Sequence, residues 1–221
     1  MKEHFGKFGK PTIKHQLLIS KKARKPILTS ETKILSFPDS FKLSYYITHD
    51  YEIPSDTVSN DPNLKSLFSI QLLVEKVAKE LIGTRLDESS TKNRGQDLER
   101  RTMKLLGYST KQGENLVGGY PDIPNQLLEV KVQEAQTVDL GKFSPAKEEV
   151  VISENNLTTF DVRYLIALTN PNTGIIEGII LAPGEKLGEL FTYVSDLSYK
   201  CQRSIPMSFF ENYSGTCVSN P

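Results

Sequence analysis

The sequence predicts an α/β (α+β) fold in which a mixed central β-sheet is flanked by helices. Three observations predict it. Two segments in the first half keep the apolar spacing of amphipathic helices, the middle carries short strand-like runs, and a hairpin followed by a helical pattern comes later. Helices that precede a group of strands, with a further helix after them, are typical of a sheet with helices packed on it.

The composition suits one medium-sized domain, or one domain with an appended arm. The chain has 221 residues, of which 38% are apolar and 24% charged, as is usual for globular proteins. No apolar run reaches the roughly 18 residues of a membrane span, and the N-terminus lacks the apolar core of a secretory signal. Two cysteines, Cys201 and Cys217, are too few for a disulfide framework. We therefore predict a cytoplasmic protein without a membrane partner.

The N-terminal segment is basic although the whole chain has no net charge. Residues 1–26 contain one acid, Glu3, and eight basic residues: Lys2, Lys7, Lys10, Lys14, Lys21, Lys22, Arg24 and Lys25. This asymmetry predicts contact with nucleic acid; the alternative is a solvated, partly disordered tail. We divide the chain into a basic arm with a possible DNA-recognition region, residues 1–65, and a core, residues 66–221.

The part of the first region that follows the basic segment has few clear elements. Residues 27–48 contain short strand-like runs, of which residues 41–47 are the best candidate. Turn-forming residues dominate from 49 to 65, including Pro54 and Pro62, which predicts a loop or linker.

Two amphipathic helices are predicted at the start of the core. The first is capped by Asn63 or Ser66 and ends at Gly83, with apolar positions at Leu67, Ile70, Leu73, Val74, Val77, Ala78 and Leu81. The second runs from about Arg94 to Gly107, and its inner side is formed by Leu98, Thr102, Leu105 and Leu106.

The rest of the core is predicted to be a sheet closed by a helix. A hairpin is indicated by two apolar runs on either side of a turn that contains Pro171 and Gly174. The predicted elements are, in order, strands at residues 116–118, 127–133 and 149–153, hairpin arms at residues 162–168 and 175–181, and a helix at residues 184–194.

The most informative segment is residues 119–132. Asp122 directly follows Pro121, and the apolar strand after it carries Glu129 and Lys131. Because strand side chains alternate between faces, Glu129 and Lys131 share one face while their apolar neighbours share the other. A surface hairpin with alternating charges is the plain structural interpretation. Two carboxylates beside a lysine, held on a sheet, also suit a divalent-metal phosphodiesterase.

The chemistry of phosphodiester cleavage explains why these residue types matter. The reaction needs an activated water and neutralisation of the phosphate, and Mg²⁺ held by carboxylate oxygens supplies much of both. Asp122 and Glu129 are the predicted ligands, and the backbone carbonyl of Val130 could complete the set. Lys131 would hold the attacking water or neutralise the phosphate, because its ammonium is a compact charge whose pKa shifts readily. We therefore predict Mg²⁺ as the cofactor.

This arrangement resembles a known motif. Pro121-Asp122, followed after six residues by Glu129-Val130-Lys131, resembles the PD-(D/E)XK nuclease motif. In that superfamily the two acids bind metal and the lysine assists the water. The resemblance implies a restriction-endonuclease-like catalytic core over the region that begins at residue 66.

The resemblance extends upstream of the strand. Gly95 to Glu99 is similar to the Gly-x-x-x-Glu helix start of MutH-type mismatch-repair endonucleases and related type II restriction enzymes, which implies that Glu99 joins the active site. The alternative for Glu99 is a solvated residue near a helix N-terminus. The similarity covers roughly residues 92–133, and Val130 stands where MutH-type enzymes usually have leucine.

Four further residues are predicted to contact DNA. Lys92 and Arg94 lie at the predicted helix start, and Gln133 shares the strand face of Glu129 and Lys131. Arg163 lies at the start of a core strand, and its guanidinium can donate two parallel hydrogen bonds to a phosphate or to guanine. The alternatives are a salt bridge for Arg163 and a plain polar strand position for Gln133. The short spacer after Lys92 departs from the family pattern.

These features together predict a type II restriction endonuclease that cleaves both strands of DNA by a metal-activated water. A homodimer would match the symmetry of a duplex site, and a cognate DNA methyltransferase would be its genetic partner. The alternatives are a MutH-like nicking enzyme, a structure-specific nuclease for junctions or repair, and a non-catalytic DNA-binding protein. The three histidines accompany no cysteine or carboxylate cluster, and no phosphate-binding Gly-rich loop occurs, so neither zinc nor ATP is expected.

Overall fold

The structure is a computed structural model that describes residues 10–47, 67–87, 91–108, 120–141 and 143–200. These residues form a mixed α/β arrangement with several sheets and few helices, which confirms the predicted fold class at this level. The chain divides into two compact units, one of Met1–Lys14 and Ser195–Pro221 and one of His15–Val194. The strand predicted at 116–118, the loop predicted at 49–65 and both cysteines lie outside the described residues.

The elements have the following bounds. The strands are β1 (Lys10–Leu18), β2 (Ile34–Ser36), β3 (Leu128–Gln133), β4 (Thr137–Asp139), β5 (Val150–Ile152), β6 (Leu157–Thr158), β7 (Arg163–Thr169), β8 (Ile176–Pro183) and β9 (Thr192–Lys200). The helices are α1 (Lys21–Thr29), α2 (Phe41–Ser44), α3 (Ile70–Leu73), α4 (Lys79–Leu81), α5 (Thr91–Leu105) and α6 (Gly184–Leu190). A π-helical turn, Val74–Ala78, joins α3 to α4, and a 3-10 turn, Pro124–Gln126, precedes β3.

The central sheet has four strands in the order β2-β8-β7-β3. Strand β7 is antiparallel to β8 and parallel to β3, and β2 is parallel to β8, so the sheet is mixed as predicted. The connection from β3 to β7 contains β4, which pairs with β1, and the β5–β6 hairpin. Strand β3 is an edge strand of this sheet, and its register sets Glu129 opposite Tyr164.

The sheet is covered by apolar side chains on both faces. Alternation along the buried strand β7 sends Leu165 and Ala167 to one face and Tyr164 and Ile166 to the other. The first face packs against residues of the α3–α4 segment and α5: Ile70, Leu73, Val77, Leu81, Leu98 and Met103. The second packs against residues of β1, α1, β4 and α6: Leu17, Ile27, Val138 and Leu187.

The two predicted helices of the core are present with shifted starts. The first begins later than predicted, because Ser69 rather than Ser66 caps it, with its Oγ accepting from the Leu72 amide at 3.1 Å. It ends as predicted before Gly83, whose φ of +80° is readily adopted only by glycine. Helix α5 begins at Thr91, three residues before the predicted start. Its Leu98 and Thr102 are fully buried, as their spacing predicts.

Two other predictions are wrong. Residues 41–47 do not form a strand: Ser40 caps the short helix α2 by accepting from the Leu43 amide at 3.3 Å. The helix predicted to reach residue 194 ends at Leu190, and β9 begins at Thr192. Within the region predicted as an arm, residues 1–65, the described strand β2 belongs to the central sheet.

The basic N-terminal segment also contains regular structure. Its described part comprises β1 and most of α1, and Ile27 of α1 is buried in the core. Arg24, one of its eight basic residues, donates to Glu177 at 3.0 Å and to the Thr169 carbonyl at 3.0 Å. Within the described ranges, no helix is long and apolar enough to cross a membrane.

Candidate active site

A tight turn brings Asp122 next to strand β3. The 3-10 turn Pro124–Gln126 and the left-handed conformation of Leu127, with φ of +45°, reverse the chain. As a result Ile123 pairs with Leu128: the Ile123 amide donates to the Leu128 carbonyl at 2.9 Å, and the Leu128 amide donates back at 3.2 Å. Asp122 therefore lies beside the edge of β3 that does not face β7.

Asp122, Glu129 and Lys131 are joined by hydrogen bonds and ion pairs. The Asp122 Oδ2 accepts from the Val130 amide at 2.9 Å and from the Lys131 Nζ at 3.2 Å. The Asp122 amide donates to the Glu129 Oε2 at 2.9 Å, and the Lys131 ammonium also forms an ion pair with the Glu129 Oε1. The lysine thus bridges both carboxylates, and the motif predicted from the spacing forms one cluster.

The backbone of Val130 is oriented toward Asp122. The Arg163 amide of β7 donates to the Leu127 carbonyl at 2.8 Å, whereas the amide and carbonyl of Leu128 both pair with Ile123. Because backbone groups of successive strand residues point to opposite edges, the Val130 carbonyl points to the same edge as its amide, which donates to Asp122. The predicted third oxygen ligand therefore lies on the side of the Asp122 carboxylate.

Glu99 of α5 is close enough to the cluster to interact with it electrostatically. Burial, and then the charges of Asp122 and Glu129, raise the pKa of Glu99 to about 7, against the lowering effects of Lys131 and Arg100. Glu99, which the sequence predicts to join the strand motif, therefore lies near it. Gly95 is not at a helix start, however, because α5 begins four residues earlier. A Cβ at Gly95 would meet nothing within 4 Å, so packing does not require glycine there.

The cluster holds more acidic groups than its single ammonium can neutralise. Burial raises the pKa of Glu129, with Asp122 adding to the effect and Lys131 opposing it. Burial disfavours the charged form of Lys131, but the carboxylates of Glu129 and Asp122 outweigh it and raise the pKa of Lys131. Three carboxyl groups around one lysine leave a deficit of positive charge that a cation would relieve.

The oxygen donors of the cluster fit a hard divalent cation. Two carboxylates and one backbone carbonyl are ligands of the kind that Mg²⁺ takes, and Mg²⁺ keeps several waters besides. Within the part of the chain that the structure describes, no group of three or more His, Cys, Asp and Glu side chains is arranged to hold a metal ion. The candidate metal ligands are therefore limited to three groups: the carboxylates of Asp122 and Glu129 and the carbonyl of Val130.

Two tyrosines, Tyr120 and Tyr164, lie close enough to Glu129 to interact with it electrostatically, and neither was anticipated from the sequence. Tyr164 is fully buried opposite Glu129, and its hydroxyl lies 2.5 Å from the Tyr120 hydroxyl. Burial raises the pKa values of Tyr120, Tyr164 and Tyr193, so all three are neutral phenols. Tyr120 is only two residues before Asp122, so its sequence position alone places it near the motif. Tyr164 is distant in sequence, and it reaches Glu129 only through the pairing of β7 with β3.

Arg163, which the sequence predicts to contact DNA, lies in the interior of the fold. The side chain is fully buried. Its Nε donates to the Gln126 carbonyl at 3.0 Å, another guanidinium nitrogen donates to the Phe68 carbonyl, and Asp39 lies 3.5 Å away as the ion-pair partner. Arg163 therefore holds the turn that carries Asp122 toward β3.

Two other residues predicted to contact DNA, Arg94 and Gln133, also have buried side chains. Arg94 is 8% exposed, forms an ion pair with Glu134 and donates to the Pro171 carbonyl at 3.2 Å. Gln133 is 1% exposed and accepts from Arg24 at 3.1 Å. Lys92 lies on α5, but its side chain is outside the described residues.

Comparison with known proteins adds nothing to these observations. No protein-family model, no curated protein and no solved structure matches the chain.

Proposed function

We propose that the chain is a Mg²⁺-dependent DNA endonuclease of the PD-(D/E)XK type. The observation that carries the proposal is the Lys131 ammonium, which bridges Asp122 and Glu129 at the edge of the central sheet, with Glu99 close by. A lysine needed only for packing would not require three acidic neighbours, two of them with raised pKa values. Such perturbed groups concentrate at functional sites.

The roles of the residues follow from their positions. Asp122, Glu129 and the Val130 carbonyl would hold Mg²⁺, which when bound neutralises the phosphate and activates water. Lys131 keeps the two carboxylates in one orientation, and it would face the phosphate once an ion replaces it as their partner. Glu99, with a pKa of about 7, can take up or release a proton near neutral pH, as a general base or acid requires.

A type II restriction endonuclease is the favoured subclass. It would act as a homodimer on a symmetric duplex site, with the basic N-terminal segment adding affinity for phosphates, and it would be accompanied by a DNA methyltransferase. A MutH-like nicking enzyme and a junction- or repair-specific nuclease share the same site. In a non-catalytic DNA-binding protein the cluster would be structural.

Cleavage of unmodified phage or genomic DNA in Mg²⁺ tests the proposal. We expect fragmentation by the wild-type protein and a loss of at least about 100-fold in Asp122→Asn, because even residues that only support metal ligands contribute about 10–100-fold. The control is Glu154→Gln, which changes an exposed carboxylate. Conversion of supercoiled plasmid to open circles without linear product would indicate a nicking enzyme. Preferred cleavage of a four-way junction would indicate a structure-specific enzyme. No cleavage of any of these DNAs would contradict the proposal.

A further inference from the structure

A cleft of about 580 Å³ lies between helix α1 and strand β2. Its lining is mainly apolar, and it includes Ala23 and Pro26 of α1, Ile34 and Leu35 of β2, and Phe191. Small-molecule sites in proteins typically have volumes of roughly 300–1,000 Å³ and apolar walls with a few polar groups. The size and the lining of the cleft are therefore those of a ligand site.

The walls of the cleft are fixed by contacts with the core. Ile27 and Phe191, which both line it, are buried members of the apolar cluster on that face of the sheet. Helix α1 also approaches β8 closely at Gly178, where an added Cβ would lie 2.9 Å from the Leu28 Cδ2. Because these contacts hold α1 in place, the cleft is formed before a ligand binds.

The cleft is separate from the catalytic cluster. Strands β2 and β3 are the two edges of the four-stranded sheet, and Lys131 lies on β3. Neighbouring strands are about 4.8 Å apart, so three spacings place β2 roughly 14 Å from β3. The two sites share no residue, and a ligand of the cleft goes beyond the proposed function.

One polar side chain of the cleft is left for a ligand. The Ser20 hydroxyl already accepts from the Ala23 amide at 3.2 Å, and the Ser30 hydroxyl donates to the Ile27 carbonyl at 2.8 Å. The third polar residue of the lining is Lys22, whose ammonium has no hydrogen-bond or ion-pair partner among the described residues. Lys22 is also the second residue of α1, where the helix dipole favours an anion.

We propose that the cleft binds a single-chain aliphatic carboxylate, a molecule of the fatty-acid class, with its chain against the apolar walls and its carboxylate at Lys22. Each methylene that leaves water raises the affinity of such a chain about fourfold, which suits the apolar lining. One lysine matches the single charge of a carboxylate, whereas a phosphate monoester carries a charge closer to two.

A series of chain lengths tests the apolar contact. Isothermal titration calorimetry would measure binding of hexanoate, octanoate and decanoate to the full chain, each below the concentration at which it forms micelles. We expect one ligand per chain, with a dissociation constant that falls about 15-fold for each added pair of methylenes. A wild type that binds none of the three, or binds all three equally, would overturn the proposal.

Three variants test the position of the ligand. Ala23→Phe places a ring in the cleft and should abolish binding of octanoate. Lys22→Gln should weaken octanoate by about two- to fivefold, the range of an exposed ion pair, and leave the uncharged octanamide unchanged. Lys25→Gln is the matched control, because Lys25 is an exposed lysine of the same helix that does not line the cleft. It should leave the affinity for both ligands unchanged.

Thermal melting without ligand shows whether each variant is folded, and the chain-length series needs no variant. Full binding of octanoate by Ala23→Phe would contradict the assigned site, as would equal losses in Lys22→Gln and Lys25→Gln. Sedimentation velocity tests the other occupant of an apolar cleft, a second copy of the chain. A wild-type dimer that binds no carboxylate and that Ala23→Phe dissociates would overturn the proposal.

Discussion

Two cations on neighbouring strands of the central sheet have opposite surroundings. Arg163 on β7 is fully buried, and its partners are the carbonyl oxygens of Phe68 and Gln126 and one carboxylate, that of Asp39. Lys131 on β3 has a side chain that is 22% exposed, and its partners are two carboxylates.

The comparison contrasts a balanced ion pair with a cluster in which acidic groups outnumber the cation. Oxygens of Phe68 and Gln126 accept the hydrogen bonds of the Arg163 guanidinium, and the single Asp39 carboxylate pairs with its charge, so the Arg163 network has no excess of acidic groups for a cation to neutralise. The Lys131 cluster leaves acidic groups with raised pKa values at a partly open edge. The first arrangement is self-sufficient, and the second gains by binding a cation.

The largest expected effect is on stability. Arg163→Ala should lower the free energy of unfolding by about 3–5 kcal/mol, because it leaves Asp39 buried without its cation. Lys131→Ala should cost clearly less, because the acids around it can take up protons and the site is partly open. Chemical denaturation of both variants measures the difference. Arg163→Lys keeps the positive charge but lacks the several donors of the guanidinium. Its free energy of unfolding should lie between those of Arg163→Ala and the wild type. Equal losses of stability in Arg163→Ala and Lys131→Ala would show that the two cations do not differ in this way.

Binding of Mg²⁺ is expected to change the stability of the protein by a smaller amount. Mg²⁺ at 100 times its dissociation constant should stabilise the folded protein by about 2.7 kcal/mol, which corresponds to several degrees in melting temperature for a chain of this size. Glu129→Gln should reduce that shift, whereas Glu154→Gln should preserve it. Thermal melts with and without Mg²⁺ provide the measurement. A full shift in Glu129→Gln would mean that the ion binds elsewhere.

The smallest expected effect is on the pH dependence of stability without metal. The pKa of Glu99 is raised from 4.5 to about 7, so the folded protein holds this proton more tightly than the unfolded chain. Its stabilising contribution is complete below 4.5, declines as the pH rises from 4.5 toward 7, and levels off above that. Glu99→Gln should flatten this part of a plot of melting temperature against pH in EDTA. An unchanged slope would show that Glu99 is not the titrating group.

Local patterns predicted the parts of the fold and site that depend on near neighbours. The alternation around Glu129 and Lys131 predicted β3 and the shared face of its two charges, because side-chain direction in a strand is a local property. The approach of Asp122 needs only the short turn between them. Glu99 was found through a resemblance, since nothing in the sequence of α5 itself indicates what the helix faces.

Where the structure departs from what the sequence predicts, the cause is contact with distant parts of the chain. Arg163 has a charged side chain at the start of an apolar strand, and only the convergence of Phe68 and Gln126 on it encloses the guanidinium. Arg94 is enclosed by Glu134 and Pro171 in the same way. The apolar residues after Leu190 have a spacing that also suits a helix, yet they form β9, and strand pairing cannot be read from a short window.

The hydrogen bond from the Val130 amide to Asp122 has a consequence for association between molecules. An edge strand with free amides and carbonyls invites pairing with a strand of another chain. Here Ile123 pairs with Leu128, and the Asp122 carboxylate takes the next outward amide. The acid proposed for catalysis therefore also closes the edge of the sheet against the addition of a foreign strand, and a negative charge at that position opposes aggregation through the edge.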